Sequence, residues 1–393
     1  MKIEQKHIEQ IKAQFAEMQN KEDFAKLLST ANNFLYQKEC TPIKLKYLTY
    51  YANPLICKNR YQSFSILKKT GGERAINAPV NGLKSILRSL NFVIQCIYEP
   101  HKAATGFVID KSIVDNAKKH TQHNYVFNID LSDFFHSFDR NRVKLGFMYE
   151  PYNLKGEREN LAFFIASLCT HPLNINGDEK IVLPQGSPTS PTITNLLCIN
   201  LDRRLNGLAK RFNATYTRYA DDITFSCNKN IFTDEEFKTE LERIIKDQKF
   251  TINSKKTRLQ KLDYRQEVTG LVVNKKVNVH SRYIKQIRMW LYYWEKYGYE
   301  KAQQIFTRDY TTEKGHVKKN KPILVKVLDG KLKFLRMVKG ADDSTYQTIK
   351  NRFEKLRDLT NPVNKLLDIW ENEGIGKAME VYYKYKIGVN DKD

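Results

Sequence analysis

The stretch TRYADDITFS (residues 217–226) places two adjacent aspartates between two short runs of β-forming residues. The β-branched and aromatic residues on both sides predict two strands, with the aspartates at the tip of the hairpin that joins them. Neighbouring residues of an extended strand point to opposite faces, so Asp221 and Asp222 cannot both be buried without compensation. Because aspartate is common in turns, an ordinary turn is the alternative explanation of this pair.

A third aspartate lies far from this pair in the sequence. The run NYVFNIDL (residues 124–131) has the length of a strand and carries Asp130 at its end. If this strand lies beside the hairpin, Asp130, Asp221 and Asp222 form one cluster whose charges repel unless cations bind. Mg²⁺ prefers carboxylate and phosphate oxygens, and two ions about 3.5–4 Å apart suit an in-line phosphoryl transfer. The cluster therefore predicts a two-metal Mg²⁺ site for nucleotidyl transfer, with Mn²⁺ as an alternative ion.

The charge of the chain indicates a polyanionic partner. Its 393 residues include 66 Lys and Arg against 44 Asp and Glu, which gives a net charge of +22. Residues 251–340 hold 22 basic and 7 acidic residues, so +15 of that charge lies there, interleaved with Tyr and Trp that can stack on bases. We expect a nucleic-acid surface, although a solvated amphipathic helix also explains the segment around residues 281–306.

Other sequence features narrow the setting of the chain. No apolar run approaches the roughly 20 residues that a membrane-spanning helix needs, and the N-terminal segment has no signal-peptide pattern, so we expect a cytoplasmic protein without a membrane partner. The six cysteines are scattered without zinc-ligand spacing. Predicted strands and helices mix without βαβ alternation, which favours an α+β fold over a doubly wound one.

Three motifs in this order resemble the palm motifs of reverse transcriptases: NIDLSDFF (residues 128–135), LPQGSPTSP (residues 183–191) and YADD (residues 219–222). The resemblance implies a right-hand polymerase with fingers, palm and thumb. It also implies that Asp130 and Asp221 bind both catalytic metals and that Asp222 assists.

The same resemblance divides the chain into four predicted parts. They are a helical N-terminal extension, fingers, a palm with inserted helices, and a mostly helical thumb with C-terminal helices. Their predicted ranges are residues 1–55, 56–125, 126–270 and 271–393.

The segment ILKKTGGER (residues 66–74) reads as a hairpin with basic residues at its bend and resembles the fingers hairpin of the family. The resemblance assigns Lys68 and Arg74 to the incoming triphosphate, with Lys69 as an alternative to Lys68. Arg can engage phosphate through two hydrogen bonds, and Lys supplies a compact charge. A solvated hairpin is the alternative explanation.

The resemblance also assigns the residues after Asp130. Asp133 and Phe134 would line the nucleotide pocket, and Phe135 would take the place of the family's steric gate. An aromatic ring under the sugar leaves no room for a 2′-hydroxyl, so this site would prefer deoxynucleoside triphosphates (dNTPs). Packing in the core is the alternative for these aromatic side chains.

Two further segments complete the predicted nucleotide site. Gln185 and Gly186 would lie against the base and the sugar, since glycine permits close approach of the backbone. Pro188 and Pro191 would fix this loop, although a purely structural turn explains these two prolines equally well. INSKKTR (residues 252–258) resembles the next palm motif, in which Lys256 would contact or protonate the departing pyrophosphate.

Two short stretches resemble signatures of bacterial retron reverse transcriptases, namely NAKKH (residues 116–120) and VTG (residues 268–270). Either match could arise by chance, and a lone His120 is commonly structural. The chain departs from the family pattern at Leu67, where proline is common, and at Thr105, where many members carry histidine. The residues assigned to RNA contact are Asn116, Ala117, His120, Val268, Thr269, Gly270, Arg282, Lys285 and Arg288.

The retron resemblance implies a specific biochemical role. The protein would bind its own structured noncoding RNA, start cDNA synthesis from a guanosine 2′-hydroxyl and yield a branched RNA–DNA hybrid (msDNA). It would act in antiphage defence with a separate effector protein, and host RNase H would remove RNA. The alternatives are another defence-associated or group II intron-like reverse transcriptase, and a non-catalytic RNA-binding scaffold.

Overall fold

The computed structural model divides into two compact units, Met1–Thr269 and Gly270–Asp393. The boundary falls one residue before the predicted start of the thumb, while the finer division into four parts stays a prediction. The structure describes residues 4–67, 71–175, 177–314, 322–359, 366, 369–371 and 373–390.

A four-stranded antiparallel sheet forms the centre of the first unit. Its strands, in spatial order, are Thr215–Tyr219, Asp222–Cys227, Tyr125–Asp130 and Arg258–Lys261. The two predicted strands around YADD and the predicted strand at NYVFNIDL are thus present and adjacent. Their β-branched and aromatic residues favour strands because such side chains fit a pleated, partly buried surface, and several of them lie in the core of the unit.

Further strands form two separate hairpins. Tyr61–Leu67 pairs with Glu73–Pro79, and His171–Ile175 pairs with Asp178–Val182. The first of these hairpins is exposed over most of its length, as expected for a hairpin that reaches into solvent. Short strands Glu267–Val268 and Leu271–Val272 stand on either side of the boundary between the units.

Helices make up most of the remaining first unit, and the predicted α+β architecture is confirmed. Short 3₁₀ turns span Phe134–Ser137, Gly156–Arg158 and Ile231–Thr233. The α-helices are Gln5–Glu17, Lys21–Tyr36, Leu45–Ala52, Asn81–Ile97, Ile113–Lys118, Arg140–Met148, Glu159–Cys169, Ser190–Leu197, Ile199–Arg211 and Glu235–Asp247.

The N-terminal helices belong to the core of the first unit. Helices Gln5–Glu17 and Lys21–Tyr36 pack on Asn81–Ile97, whose apolar residues recur at helical spacing. Phe24 is fully buried and meets the ring of Phe164 edge to face, with 6.2 Å between the ring centroids. The N-terminal extension therefore completes a shared hydrophobic core.

The second unit is helical across its described residues after the short strand at its start. Helix Ser281–Tyr297 buries Ile287, Trp290, Leu291 and Trp294, so its predicted apolar face is largely the buried one. Among the described residues, no helix is long and apolar enough to cross a membrane. The other helices of this unit include Tyr299–Lys314, Leu324–Lys339, Ser344–Leu359 and Ile375–Asn390.

We predict that Phe24→Ala lowers the free energy of unfolding by about 3–5 kcal/mol, because it removes a buried ring and leaves a cavity. Urea unfolding monitored by circular dichroism measures this change. Lys26→Ala, on the exposed face of the same helix, is the matched control and should change stability by no more than about 0.5 kcal/mol. Equal effects of the two substitutions would show that the N-terminal helices are not part of the core.

Candidate active site

The register of the central sheet brings the three aspartates together. Asp130 and Asp222 are directly paired across neighbouring strands, and the amide of Leu131 donates to the carbonyl of Asp221 at 3.2 Å. The two-residue loop of the hairpin is Ala220–Asp221. Ala220 has a φ of 58°, which a type II′ hairpin turn requires at its first position and which a non-glycine residue seldom adopts.

Asp130 is held by two side chains that follow the sheet. The Asn253 amide nitrogen Nδ2 donates to Oδ2 of Asp130 at 3.0 Å, and the Asn253 backbone amide donates to the Asp130 carbonyl at 2.8 Å. Lys256 Nζ lies 2.8 Å from Oδ1 and 3.1 Å from Oδ2 of the same carboxylate. The hydrogen bond to Asp130 raises the pKa of Lys256, so this cation offsets part of the local negative charge.

The pKa values of the remaining two carboxylates are raised, although nearby cations offset part of the effect. Loss of hydration, followed by the charge of Asp130, raises the pKa of Asp221, while Lys256 and Arg74 act in the opposite direction. Loss of hydration raises the pKa of Asp222 to about 6, although this side chain keeps exposed surface, and repulsion from Asp221 and Asp130 adds to the effect. The cluster thus has a deficit of positive charge.

A divalent metal fits the chemistry of this cluster, since hard cations prefer carboxylate oxygens and would relieve the repulsion. In the described part of the chain, however, no three Asp, Glu, His or Cys side chains are already arranged around a common metal position. Asp130 instead faces Lys256 and Asn253. Carboxylate donors are present in the cluster, and the ammonium of Lys256 contacts both oxygens of Asp130.

The residues predicted around the sugar separate into two environments. Phe134 is buried and stacks on Phe250, with 5.7 Å between ring centroids. The ring therefore belongs to the hydrophobic core, and the predicted place of Phe134 in the nucleotide pocket stays a prediction. Phe135 is half-buried, with its ring 6.3 Å from that of Phe107, and Asp133 is exposed in a left-handed conformation with φ of 47°.

The loop with Gln185 and Gly186 lies against the strand Glu73–Pro79. The amide of Asn77 donates to the Gln185 carbonyl at 2.7 Å. Gly186 has a φ of 120°, and a Cβ there would come within 2.7 Å of the Asn77 carbonyl oxygen. The close approach requires glycine, and it fixes the loop to the first hairpin.

The basic residues predicted at the tip of that first hairpin have different outcomes. Arg74 is exposed and lies near enough to Asp221 to influence its pKa. Lys68 and its alternative Lys69 lie outside the described residues.

His120, the last residue of NAKKH, contacts both strands of the hairpin that carries Asp221 and Asp222. His120 Nδ1 lies 2.7 Å from Ser226 Oγ, and its Nε2 lies 2.6 Å from Thr217 Oγ1, so the ring bridges both strands of the hairpin. Burial lowers the pKa of His120 to about 3, which keeps the ring neutral. Asn116, Ala117 and His120 are fully buried, so they present no surface for direct contact with RNA in this structure, and their assigned role in RNA binding stays a prediction.

The other predicted RNA contacts differ in exposure. Val268 is fully buried, whereas Thr269 and Gly270 occupy a turn with φ of 48° and 78°; the contact of all three with RNA stays a prediction. Thr269 Oγ1 donates to the carbonyl of Ile113 at 3.3 Å, while Gly270 is exposed. In the second unit, the predicted residues Arg282, Lys285 and Arg288 are all exposed.

Two further residues contribute to the site and were not predicted from the sequence, namely Asn253 and Gly106. Asn253 stands three residues before Lys256, and only the lysine had been singled out. Gly106 lies against the YADD turn, where a Cβ would come within 2.6 Å of the Ala220 nitrogen. The signal for Asn253 was its place in INSKKTR, and the signal for Gly106 was a lone glycine in ATGF.

We predict that Asp222→Asn raises the melting temperature at pH 7.5 by roughly 2–5 °C, because it removes from the folded state a charge that has lost hydration and is repelled by Asp221 and Asp130. The gain should be full above pH 6 and vanish towards pH 4, since the raised pKa penalises the folded protein only once unfolded Asp222 loses its proton. Thermal unfolding at both pH values measures this. Asp263→Asn, on an exposed turn, is the control; a pH-independent gain would contradict the repulsion.

Comparison with known proteins agrees with this geometry. The family model "Reverse transcriptase (RNA-dependent DNA polymerase)" matches residues 66–280, more than half of the chain. Retron Mx162 reverse transcriptase of Myxococcus xanthus is 37% identical over 232 residues, covering 54% of this chain and 47% of that protein. Retron Mx65 reverse transcriptase of the same organism is 30% identical over 289 residues, covering 71% and 61%.

A third relative, retron Ec86 reverse transcriptase of Escherichia coli, is 33% identical over 238 residues, covering 58% of this chain and 68% of that protein. The chain spans about half the length of the Mx162 protein and about three-fifths of the Mx65 protein. The match confirms the predicted right-hand polymerase class, and the family implies dependence on a divalent metal. The chain therefore belongs to the reverse transcriptase family, among the retron reverse transcriptases.

Proposed function

We propose that this chain is an RNA-directed DNA polymerase that reverse transcribes part of a cognate structured noncoding RNA of a retron. The observation that carries the proposal is the pairing of Asp130 with Asp222 beside Asp221 in a member of this family. Three carboxylates with unrelieved repulsion at the end of a rigid sheet suit a site for divalent cations and phosphate oxygens.

In the proposed reaction Asp130 and Asp221 bind two Mg²⁺ ions, or Mn²⁺, and Asp222 assists. When bound, these ions favour attack by a primer hydroxyl on the α-phosphate of a dNTP and offset the charge that develops on the phosphoryl oxygens. Lys256, which contacts Asp130 in this structure, would contact the departing pyrophosphate. Its ammonium group can then neutralise or protonate that leaving group.

Three features of the first unit would select and hold the dNTP. Arg74 would engage the triphosphate together with Lys68, since a guanidinium binds phosphate oxygens through two hydrogen bonds. Gln185 and Gly186 would lie along the base and the sugar, in a loop fixed to the strand that carries Arg74. The half-buried ring of Phe135 would occupy the space of a 2′-hydroxyl.

The RNA partner is proposed from charge and from the relatives. Arg282, Lys285 and Arg288 are exposed on one helix, where they can contact phosphates, and Thr269 and Gly270 offer an accessible turn. The product would be msDNA, a branched hybrid of the cognate RNA and its cDNA. We further propose a separate effector protein, trimming by host RNase H, a role in antiphage defence, and action in the bacterial cytoplasm.

We predict that Asp130→Asn and Asp221→Asn each reduce dNTP incorporation by more than about 100-fold, because each removes a carboxylate proposed to bind the metal ions that would stabilise the transition state. Protein purified with its co-expressed RNA would be assayed for extension with Mg²⁺ and for covalently linked RNA–DNA. Asp139→Asn is the control, because Asp139 caps a helix by accepting from the amide of Arg142 at 2.8 Å.

The control variant should stay within about threefold of the wild type. Full extension by Asp221→Asn would refute the metal assignment. Extension without any covalent RNA–DNA product would refute the retron reaction, while the proposed polymerase activity would still hold.

We predict that Phe135→Val lowers discrimination between dNTPs and ribonucleotides by at least about tenfold, because it opens space for a 2′-hydroxyl. Primer extension with each nucleotide class gives the ratio of kcat/KM values. Phe134→Leu is the matched control, since this neighbouring ring is buried against Phe250. The control should lower stability and keep the discrimination ratio; an unchanged ratio in Phe135→Val would exclude the gate.

A further inference from the structure

Arg218, the residue before YADD, is a fully buried cation inside the central sheet. Its Nε donates to Oδ1 of Asp202 and its Nη2 donates to Oδ2, both at 2.7 Å, in a two-pronged ion pair. Asp202 is also fully buried, and it accepts a further hydrogen bond from the hydroxyl of Tyr216 at 2.7 Å. The pair is therefore rigid and well satisfied, as a buried ion pair must be.

The guanidinium of Arg218 also reaches the turn that carries the metal-binding aspartates. Its Nη1 donates to the carbonyl of Ala220 at 3.1 Å, and its Nη2 donates to Oδ1 of Asn195 at 3.1 Å. The Ala220 carbonyl belongs to the peptide that joins Ala220 to Asp221. Arg218 thus holds the peptide group next to Asp221, at the point where the backbone adopts an uncommon positive φ.

A loop confines the same turn from its other side. Asn195 Nδ2 donates to the carbonyl of Gly106 at 2.8 Å. At Gly106 a Cβ would lie 2.6 Å from the nitrogen of Ala220 and 3.0 Å from the Cα of Tyr219, so backbone and turn are in direct contact. Asn195 therefore links the carbonyl clamp of Arg218 to the glycine that packs on the turn.

Backbone hydrogen bonds secure this loop along the strand of Arg218. The amide of Arg218 donates to the carbonyl of Ala103, and the amide of Thr105 donates to the carbonyl of Arg218, each at 2.9 Å. Thr105 Oγ1 donates in turn to Oδ1 of Asn116 at 2.8 Å. The buried side chain of Asn116 is thus connected to the loop that contacts Arg218.

A simple contribution to stability is the competing explanation of the Arg218–Asp202 pair. An ion pair that served only the core would direct its hydrogen bonds within the core, and apolar residues often replace such pairs without loss. Here two of the guanidinium hydrogen bonds go to groups other than the Asp202 carboxylate. One is donated to the Ala220 carbonyl, and the other to Asn195, which in turn donates to the Gly106 carbonyl. The arrangement therefore acts on the turn as well as on the core.

We propose that Arg218, held by Asp202 and Asn195, is a positioning residue that fixes the carboxylates of Asp221 and Asp222 for metal binding. The inference rests on the proposed polymerase function and extends it to residues that contact neither metal nor substrate. Metal and catalytic groups need placement within about 0.5 Å. A clamp on the peptide beside Asp221 supplies that placement, and its loss loosens metal binding before it affects dNTP binding.

Arg218→Lys tests this, because lysine keeps the charge opposite Asp202 but loses the fork that reaches Ala220 and Asn195. We expect the Mn²⁺ dissociation constant, measured by electron paramagnetic resonance with a non-hydrolysable dNTP and primer–template, to rise about tenfold. We expect kcat to fall about 10- to 100-fold, with the KM for dNTP within about threefold, as for a displaced catalytic group.

Phe147→Leu is the matched control, since Phe147 is a buried core ring packed on Tyr152 and shares no hydrogen bond with the clamp in the described residues. It should lower the melting temperature and leave Mn²⁺ binding unchanged. If Arg218→Lys lowers stability but keeps wild-type Mn²⁺ binding, Arg218 is only structural and the proposal is overturned.

A second variant keeps the test decisive if Arg218→Lys does not fold. Asn195→Ala retains the Arg218–Asp202 pair and removes the link to Gly106, and it should weaken Mn²⁺ binding in the same direction; unchanged binding would overturn the proposal. Wild-type protein that neither extends primers nor loses Mn²⁺ binding on Asp221→Asn would refute the proposed function itself. If the wild type is active but Arg218→Lys and Asn195→Ala bind Mn²⁺ as tightly as the wild type, only the positioning role of Arg218 is refuted.

Discussion

The mutual repulsion of Asp130, Asp221 and Asp222 is the constraint on which the rest of the first unit depends. Strand pairing forces Asp130 and Asp222 into register, and loss of hydration, followed by neighbouring negative charge, raises the pKa of Asp221 and of Asp222. A protein can hold such a cluster only if its backbone is rigid and if cations offset the charge. Lys256 supplies one cation, and the proposed metals would supply the others.

Rigidity at this site comes from buried polar groups. His120 bridges the two strands of the hairpin through two hydroxyls, and Arg218 donates a hydrogen bond to the Ala220 carbonyl in the turn. Hydrogen bonds of this kind are directional, so they fix a geometry that apolar packing alone would leave free to shift. The N-terminal helices and the residues around Phe24 and Phe164 form the hydrophobic core that stabilises the same unit.

Motifs that identify the family serve different physical purposes in the structure. YADD and the strand of Asp130 present charge, while Asn116, Ala117 and His120 of NAKKH are buried in the protein interior. A signature of a subfamily therefore need not touch the ligand that distinguishes the subfamily. In this chain, the exposed candidates for RNA contact are the turn at Thr269 and Gly270 and the basic face of helix Ser281–Tyr297.

The sequence by itself determined the α+β class, the strands around the three aspartates and the helices with apolar faces, because alternation and helical spacing are local properties of the chain. It could not separate Phe134 from Phe135, since adjacent rings look alike until the core claims one of them. It also could not show that His120 and Val268 are buried or that Arg218 reaches Ala220. Those outcomes belong to the tertiary structure, because burial and hydrogen-bond partners are set by segments distant in sequence.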